Sequence, residues 1–157
     1  MIIKKAILAN AKELERIYSL SFESNASFFP DDMEEDDEEE DEISFESAII
    51  MSDKTVLEFW LNKQLFGGAV ISWNSTGVHM LDRLFILPEE QGKGYGLHAW
   101  MEIEKMHRDV KEWKLRTPTC LINNVCFYVN KCGFSIIRVE DMGNDGVGMY
   151  LFSKKTS

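Results

Sequence analysis

The sequence lacks the features that would place it across a membrane, in an oxidised compartment or around a metal ion. No run of about 18 apolar residues is present to span a bilayer, although 45% of the 157 residues are hydrophobic. Its cysteines, Cys120, Cys126 and Cys132, are odd in number and lack C-x-x-C spacing, which argues against a disulfide framework or a zinc site. We expect no metal, and we expect Cys126 and Cys132 to pack as small apolar side chains. A cysteine nucleophile is the alternative, although no histidine stands near either residue in sequence.

The amino-terminal segment lacks the core of a signal peptide. Lys4 and Lys5 precede an apolar stretch of about four residues, short of the roughly seven to fifteen that such a signal needs. We therefore expect a cytoplasmic protein. The chain also shows no internal repeat and no linker, so its length predicts a single domain over residues 1–157.

Negative charge is concentrated in one block of the chain. Eleven of the twelve residues from Asp31 to Glu42 are Asp or Glu, with Met33 the exception. Because the formal net charge is −10, removing these eleven charges leaves the rest of the chain at +1. Such a block repels itself and is typical of a solvated loop, whereas the functional alternative is that its field attracts a polycationic amine. It would repel a phosphate backbone, so we expect no nucleic-acid partner.

The most informative motif is a glycine-rich turn that contains Gly92, Gly94 and Gly96. A strand-like run over residues 80–88 precedes it, and apolar residues recur every three or four positions over 97–110, as in a helix. A turn of this kind exposes backbone N–H groups at the positive end of a helix dipole, and its usual ligand is a phosphate. The spacing matches neither a P-loop nor the dinucleotide fingerprint. A tight strand-to-helix connection without a ligand is the alternative.

With Gln91 in front of it, the turn follows the pattern Gln-x-x-Gly-x-Gly and resembles the acetyl-CoA pyrophosphate loop of the GNAT superfamily of N-acetyltransferases. A second match lies downstream, where Phe127-Tyr-x-x-x-Cys-Gly-Phe134 looks like the GNAT helix that carries a tyrosine and is stopped by glycine. Gly133 suits the left-handed position just past a helix end. The resemblance covers most of the chain from Thr55 onward.

The order of strand-like and helix-like segments indicates an α/β sandwich on a mixed sheet. Strands are predicted at residues 2–7, 56–61, 66–73, 80–88, 113–118, 135–140 and 147–153, and the glycines at 143–146 predict a closing hairpin. Helices are predicted at residues 10–22, 45–51, 97–110 and around Tyr128. The resemblance sharpens this α/β (α+β) class to a GNAT-like, mostly antiparallel sheet of about seven strands, flanked by helices and splayed at the acyl-CoA site.

The resemblance also implies an activity and a set of binding residues. The activity is transfer of an acetyl group from acetyl-CoA to a primary amine, by direct attack in a ternary complex, and family members often pair as homodimers. Backbone groups would hold the pantetheine arm at Leu84, Phe85, Ile86 and Leu87. The pyrophosphate would lie on Gln91, Gly92, Lys93, Gly94, Tyr95, Gly96 and Leu97. The resemblance also implies that Asn124 contacts the cofactor. Many family members place this asparagine seven residues before the tyrosine, whereas Asn124 lies four before Tyr128, and a shorter loop before the helix would account for the difference in spacing.

Tyr128 matches the family tyrosine that protonates the departing sulfur. Its ordinary pKa of about 10 lies above the value of about 8.5 for a thiol, so a developing thiolate is the weaker base. The phenol must therefore have its pKa lowered, or act by hydrogen bonding more than by full proton transfer. The alternative is that Tyr128 is a core aromatic on a helix.

Asp82 is the first candidate for the base that takes the proton of the amine through water. Strand alternation places Asp82 and Leu84 on one face, and Arg83 and Phe85 on the other. A surface ion pair with Arg83 explains Asp82 equally well. Glu58, on an earlier predicted strand, is the second candidate, whereas the histidines look ordinary, with two on the polar side of a helix (His98 and His107).

Two further functions stay open at this point. The chain could be a catalytically silent acyl-CoA-binding module that uses the same loop as a sensor. It could instead be an acidic interaction protein in which residues 31–42 dock a basic partner. For the transferase, those residues favour a polyamine or an aminoglycoside-like acceptor.

Overall fold

One sheet of seven strands runs through the computed structural model, which describes residues 1–30 and 43–156. The acidic block at 31–42 lies outside the described residues. The strands are β1 (Ile2–Lys5), β2 (Lys54–Leu61), β3 (Gln64–Ser72), β4 (Val78–Ile86), β5 (Glu112–Pro118), β6 (Ser135–Glu140) and β7 (Met149–Lys155). The helices are α1 (Ala11–Glu23), α2 (Phe45–Ile50), α3 (Tyr95–Met106) and α4 (Ile122–Cys126). Helix α4 continues as a π-type turn over Phe127–Lys131, named here the tyrosine turn, and short 3₁₀ turns lie at Leu8–Asn10, Ala26–Phe28 and Pro88–Glu90.

The strand order is β1-β2-β3-β4-β5-β7-β6, and every neighbouring pair is antiparallel except β4 and β5. These two parallel strands pair only where Val78–Met80 of β4 meets Glu112–Lys114 of β5. Beyond Met80, β4 continues to Ile86, and no strand among the described residues pairs with it on its β5 side. The sheet therefore splays between β4 and β5, and the predicted mostly antiparallel, splayed fold is confirmed.

Local signals explain several of the elements. Asn62 and Lys63 have φ angles of 51° and 66°, which suits a two-residue turn between β2 and β3. Helix α1 buries residues at spacings of three and four, namely Ala11, Leu14, Ile17 and Ser21. Phe22, one residue before the end of α1, is 51% exposed.

Strand β4 contains a β-bulge at Asp82. On β3, the consecutive residues Val70 and Ile71 pair with Arg83 and Leu81, so Asp82 is the extra residue. As a result, Asp82 and Arg83 both lie on the α2 side, where they line a cavity of about 230 Å³ together with Ala48. The strict alternation predicted for this strand, which separated Asp82 from Arg83, is therefore wrong.

The core occupies both faces of the sheet. On the α1 and α2 face, the ring of Phe85 lies 5.4 Å from that of Tyr18 and 5.6 Å from that of Phe45, centroid to centroid. On the α3 face, Trp100 packs 5.3 Å from Trp113. Burial of each large apolar side chain contributes about 1.5–3 kcal/mol. None of the helices in residues 1–30 and 43–156 is long and apolar enough to cross a membrane.

Candidate functional site

The gap between β4 and β5 opens into a cavity of about 570 Å³. Its walls are the end of β4, the glycine-rich loop before α3, helix α4 and the tyrosine turn. Most of the predicted site residues line it, namely Leu84, Phe85, Ile86, Gln91, Gly92, Gly94, Tyr95, Gly96, Leu97, Asn124 and Tyr128. The splay in the sheet therefore brings together two motifs that are well separated in sequence.

The glycine-rich loop presents unused hydrogen-bond donors at the start of α3. Gly92 and Gly94 have φ angles of 77° and 91°, and a Cβ at either position would meet nothing within 4 Å. Glycine is thus required there by the backbone conformation and not by crowding. Intrahelical bonding begins with the His98 N–H on the Gly94 carbonyl. Within the described ranges, no acceptor binds the backbone N–H groups of residues 92–97, a donor set that fits a pyrophosphate.

Three of the predicted cofactor-binding residues, Gln91, Lys93 and Leu87, have hydrogen-bond or ion-pair partners within the protein. Gln91 donates from Nε2 to the carbonyl of Ile86 at 2.9 Å and contacts Ser21 Oγ at 3.4 Å, so it ties the loop to β4 and α1. Lys93 does not line the cavity; its Nζ lies 3.1 Å from Glu90 Oε2. Leu87 also lies outside the lining, since its side chain is buried and its N–H donates to the Phe66 carbonyl at 2.8 Å.

Tyr128 is held in a pocket of aromatic rings beside the cavity. Its ring centroid lies 5.2 Å from that of Phe127, 5.8 Å from that of Phe134 and 5.9 Å from that of Phe152. The residue is 8% exposed. Burial raises the pKa of the phenol above its ordinary value, so the hydroxyl keeps its proton at neutral pH. Of the two ways in which the tyrosine could act on a departing sulfur, this environment favours hydrogen bonding.

The tyrosine turn is wider than an α-helix and closes on a glycine. Cys132 donates its N–H to the Phe127 carbonyl, and Phe134 donates to the Tyr128 carbonyl. Between them, Gly133 has φ of 84°, which confirms the left-handed position predicted from sequence. Such π-type turns occur frequently at functional sites.

Neither candidate base lines this cavity. Asp82 accepts a hydrogen bond from Ser72 Oγ and lies 3.3 Å from Lys54 Nζ, in the separate cavity on the α2 face. Glu58 is buried and accepts hydrogen bonds from the Ile7 N–H, Asn10 Nδ2 and Trp60 Nε1. Those bonds join β2 to the segment after β1, so the carboxylate of Glu58 stabilises the fold.

None of the three cysteines lines this cavity. Cys132 is buried, as expected, and burial raises the pKa of its thiol to about 12. Burial also raises the pKa of Cys120. Cys126 is exposed, so its predicted packing is wrong. Among the residues that the structure describes, no group of three or more His, Cys, Asp or Glu side chains could hold a metal ion.

Among the described residues that line the cavity, five were not predicted from sequence: Ser21, Glu90, Asn123, Phe127 and Lys131. Ser21 could have been predicted, because it is a small polar residue four positions after Ile17 on the buried face of α1. Asn123 donates from Nδ2 to Asn25 Oδ1 and so links α4 to the end of the α1 segment. That contact joins residues far apart in sequence, and no local pattern indicates it.

Comparison with known proteins agrees with this geometry. The model of the acetyltransferase (GNAT) family matches residues 12–134. The PaiA N-acetyltransferase of Thermoplasma acidophilum, solved in complex with coenzyme A, has a TM-score of 0.76 at 18% identity over 98% of both chains. A putative streptothricin acetyltransferase from Bacillus anthracis str. Ames, in complex with acetyl coenzyme A, has a TM-score of 0.64 at 15% identity, over 74% of this chain and 70% of that one.

A sequence relative in Bacillus subtilis (strain 168), the uncharacterized protein YrkN, is 44% identical over 73 residues. The match spans 46% of this chain and 40% of that protein's length. The family match, in contrast, extends from α1 to Phe134, just past the tyrosine turn, and includes both motifs at the cavity. The chain belongs to the GNAT family of acetyltransferases.

Proposed function

We propose that this protein transfers the acetyl group of acetyl-CoA to a primary amine in a ternary complex. One observation carries the proposal: a single cavity joins the unused N–H groups of residues 92–97 to the protonated hydroxyl of Tyr128. The first part fits a pyrophosphate, and the second fits a leaving sulfur. The coenzyme A complexes of the structural neighbours support the same ligand.

Different residues along the cavity would bind different parts of acetyl-CoA. Acetyl-CoA would supply the acetyl group as a thioester that an amine can attack. The N–H groups of residues 92–97 would hold its pyrophosphate, and backbone groups of Leu84–Ile86 that face the gap would align the pantetheine arm. Tyr128 would keep its proton on Oη and donate a hydrogen bond toward the sulfur, where negative charge develops.

We further propose that the acceptor is a polycationic amine, such as a polyamine or an aminoglycoside. The support is the sequence charge, because eleven acidic residues within positions 31–42 would concentrate cations near the protein. Such attraction weakens as salt screens it, since the Debye length falls from about 10 Å at 0.1 M to about 3 Å at 1 M.

Release of the CoA thiol across an amine panel tests the transferase and its acceptor together. The panel holds spermidine, kanamycin, a lysine-rich peptide and a small monoamine, each at low and high salt. We expect release with polycations and a preference for them that fades with salt. Equal turnover of the monoamine without a salt effect would contradict the polycationic acceptor and leave the transferase intact.

Acyl-CoA binding without transfer is the second candidate, and one observation favours it. Glu90 is the one carboxylate among the described residues that line the cavity, and Lys93 already pairs with it. The described lining residues therefore include no unpaired carboxylate that could take the proton of the amine. Binding of acetyl-CoA with no thiol release from any amine, and no effect of Tyr128→Phe, would establish this function instead.

A further inference from the structure

We propose that Lys154 is a positioning residue for Tyr128, and this inference rests on the proposed function. Lys154 lies near the end of β7, where it pairs with Trp113 of β5. It belongs to neither of the two motifs at the cavity and does not line it. Its role would be to hold the end of the tyrosine turn against α3.

The ammonium of Lys154 links its own strand, β7, to the end of the tyrosine turn and to α3. Its Nζ donates to the backbone carbonyl of Cys132 at 2.7 Å and lies 2.9 Å from Glu104 Oε1 on α3. It also lies 5.9 Å from the ring centroid of Trp100. The Lys154 side chain is 25% exposed and that of Glu104 is 26% exposed, so this pair is more sheltered than an ordinary surface ion pair.

The end of the tyrosine turn needs a partner of this kind. The last carbonyls of a helical segment have no intrahelical donor, and a cation near them is favourable. Here the Cys132 carbonyl receives its hydrogen bond from Lys154. A Cβ at Gly133 would lie 3.4 Å from Lys154 Cε and 3.5 Å from Nζ, so the lysine lies directly against this glycine.

Ring packing connects this contact to Tyr128. The Tyr128 ring packs on Phe134, and the Phe134 ring lies 5.2 Å from Trp100, the residue beside the ammonium. Loss of the Lys154 charge would release Cys132 and the residues after it, which form part of the wall behind the tyrosine. The phenol would then lose its fixed position relative to α3, the helix that begins at the glycine-rich loop.

Substitution of Lys154 in the wild type and in the Tyr128→Phe variant tests the inference. Lys154→Met keeps most of the aliphatic stem and removes the charge, whereas Lys154→Arg keeps the charge. We expect Lys154→Met to lower kcat for thiol release about tenfold, since small misplacements of catalytic groups are costly, with KM for acetyl-CoA changed less than about twofold. Lys154→Arg should restore most of kcat. In the Tyr128→Phe background, Lys154→Met should cause no further loss.

Lys105→Met is the matched control. Lys105 pairs with Glu102 at 3.3 Å on the same helix, but both side chains are exposed, and we expect no change in kcat. If Lys154→Met fails to fold in a melting assay, Lys154→Gln replaces it as a neutral variant with a polar end.

The outcomes separate the two levels of the proposal. An equal loss of kcat in the Tyr128 and Tyr128→Phe backgrounds would overturn the positioning role of Lys154 and leave the function of Tyr128 standing. An unchanged kcat in Lys154→Met would overturn it too. Failure of the proposed function would appear earlier, as no thiol release by the wild type with any amine of the panel, whereas full activity of Tyr128→Phe would refute only the role of the tyrosine.

Discussion

A Cβ on Gly96 would lie 3.3 Å from Cζ of Phe127, so the first turn of α3 contacts the residue that precedes Tyr128. Gly96 has no left-handed backbone conformation to explain its identity. Because Gly96 has no side chain, the glycine-rich loop can pack directly against the tyrosine turn. The two walls of the cavity that carry the sequence motifs therefore pack directly on each other.

We predict that Gly96→Val lowers kcat/KM for acetyl-CoA about tenfold, because the branched side chain must displace the Phe127 ring. Steady-state thiol release measures the effect. The double variant Gly96→Val with Phe127→Leu should regain part of the loss, since the smaller side chain leaves room. No recovery in the double variant, with both proteins folded, would mean that the contact is not the cause.

Gly94→Ala should weaken cofactor binding through the backbone alone. Alanine disfavours the positive φ of Gly94, so the loop must distort or store about 1–2 kcal/mol of strain. Gly146→Ala is the matched control, because Gly146 has φ of 80° and also has open space around its Cα. Both variants should lower the melting temperature, whereas only Gly94→Ala should raise the Kd for acetyl-CoA in calorimetric titration. Equal Kd values would contradict a role for this loop in binding.

Much of the fold could be predicted from sequence because its signals are local. The strand at 135–140 was predicted with the bounds that the structure shows, and the left-handed residues Gly92, Gly94 and Gly133 follow from turn and helix-end chemistry. Both cavity motifs were found because each is a short segment that resembles a GNAT signature, and the backbone conformation of each restricts the residues it can contain.

What could not be predicted depends on contacts between distant segments. The position of β7 between β5 and β6 is a matter of strand order, which alternating hydrophobicity does not specify. The bulge at Asp82 arises from pairing with β3, and a single strand read alone shows only alternation. The ion pair of Lys154 with Glu104 joins residues of β7 and α3 and left no pattern in the sequence.

Asp82→Asn should leave kcat within about twofold of wild type, because Asp82 lies in the cavity on the α2 face with Lys54 and Ser72 as partners. The pH profile of kcat/KM should also keep its shape. A large loss of kcat, together with disappearance of the acidic limb of the profile, would instead identify Asp82 as the base.

His107 should make the fold sensitive to mild acid. The sequence placed it on the polar side of a helix, but its ring lies 4.7 Å from Trp73, and Nε2 is buried without a hydrogen-bond partner among the described residues. Burial lowers the pKa of His107 most, with His79 and Lys5 adding to the effect and Asp109 opposing it. The folded state then binds fewer protons than the unfolded state, whose histidine pKa is about 6.5.

Stability from His107 is therefore present above about pH 6.5 and is lost as the pH falls through the lower, folded-state pKa. Urea unfolding at several pH values between 7.5 and 5 measures this loss. His107→Phe should flatten the dependence, whereas His98→Gln, at an exposed position, should not. The same slope in wild type and His107→Phe would contradict the assignment.

The most direct test is a comparison of wild type and Tyr128→Phe in two assays, acetyl-CoA binding by calorimetry and CoA thiol release with the best amine of the panel. We predict an unchanged Kd and a release rate lowered about 10²-fold, the scale of a lost hydrogen-bond donor to a developing negative charge. Undiminished release by Tyr128→Phe would contradict the central claim that this cavity carries out acetyl transfer with Tyr128 at the leaving sulfur.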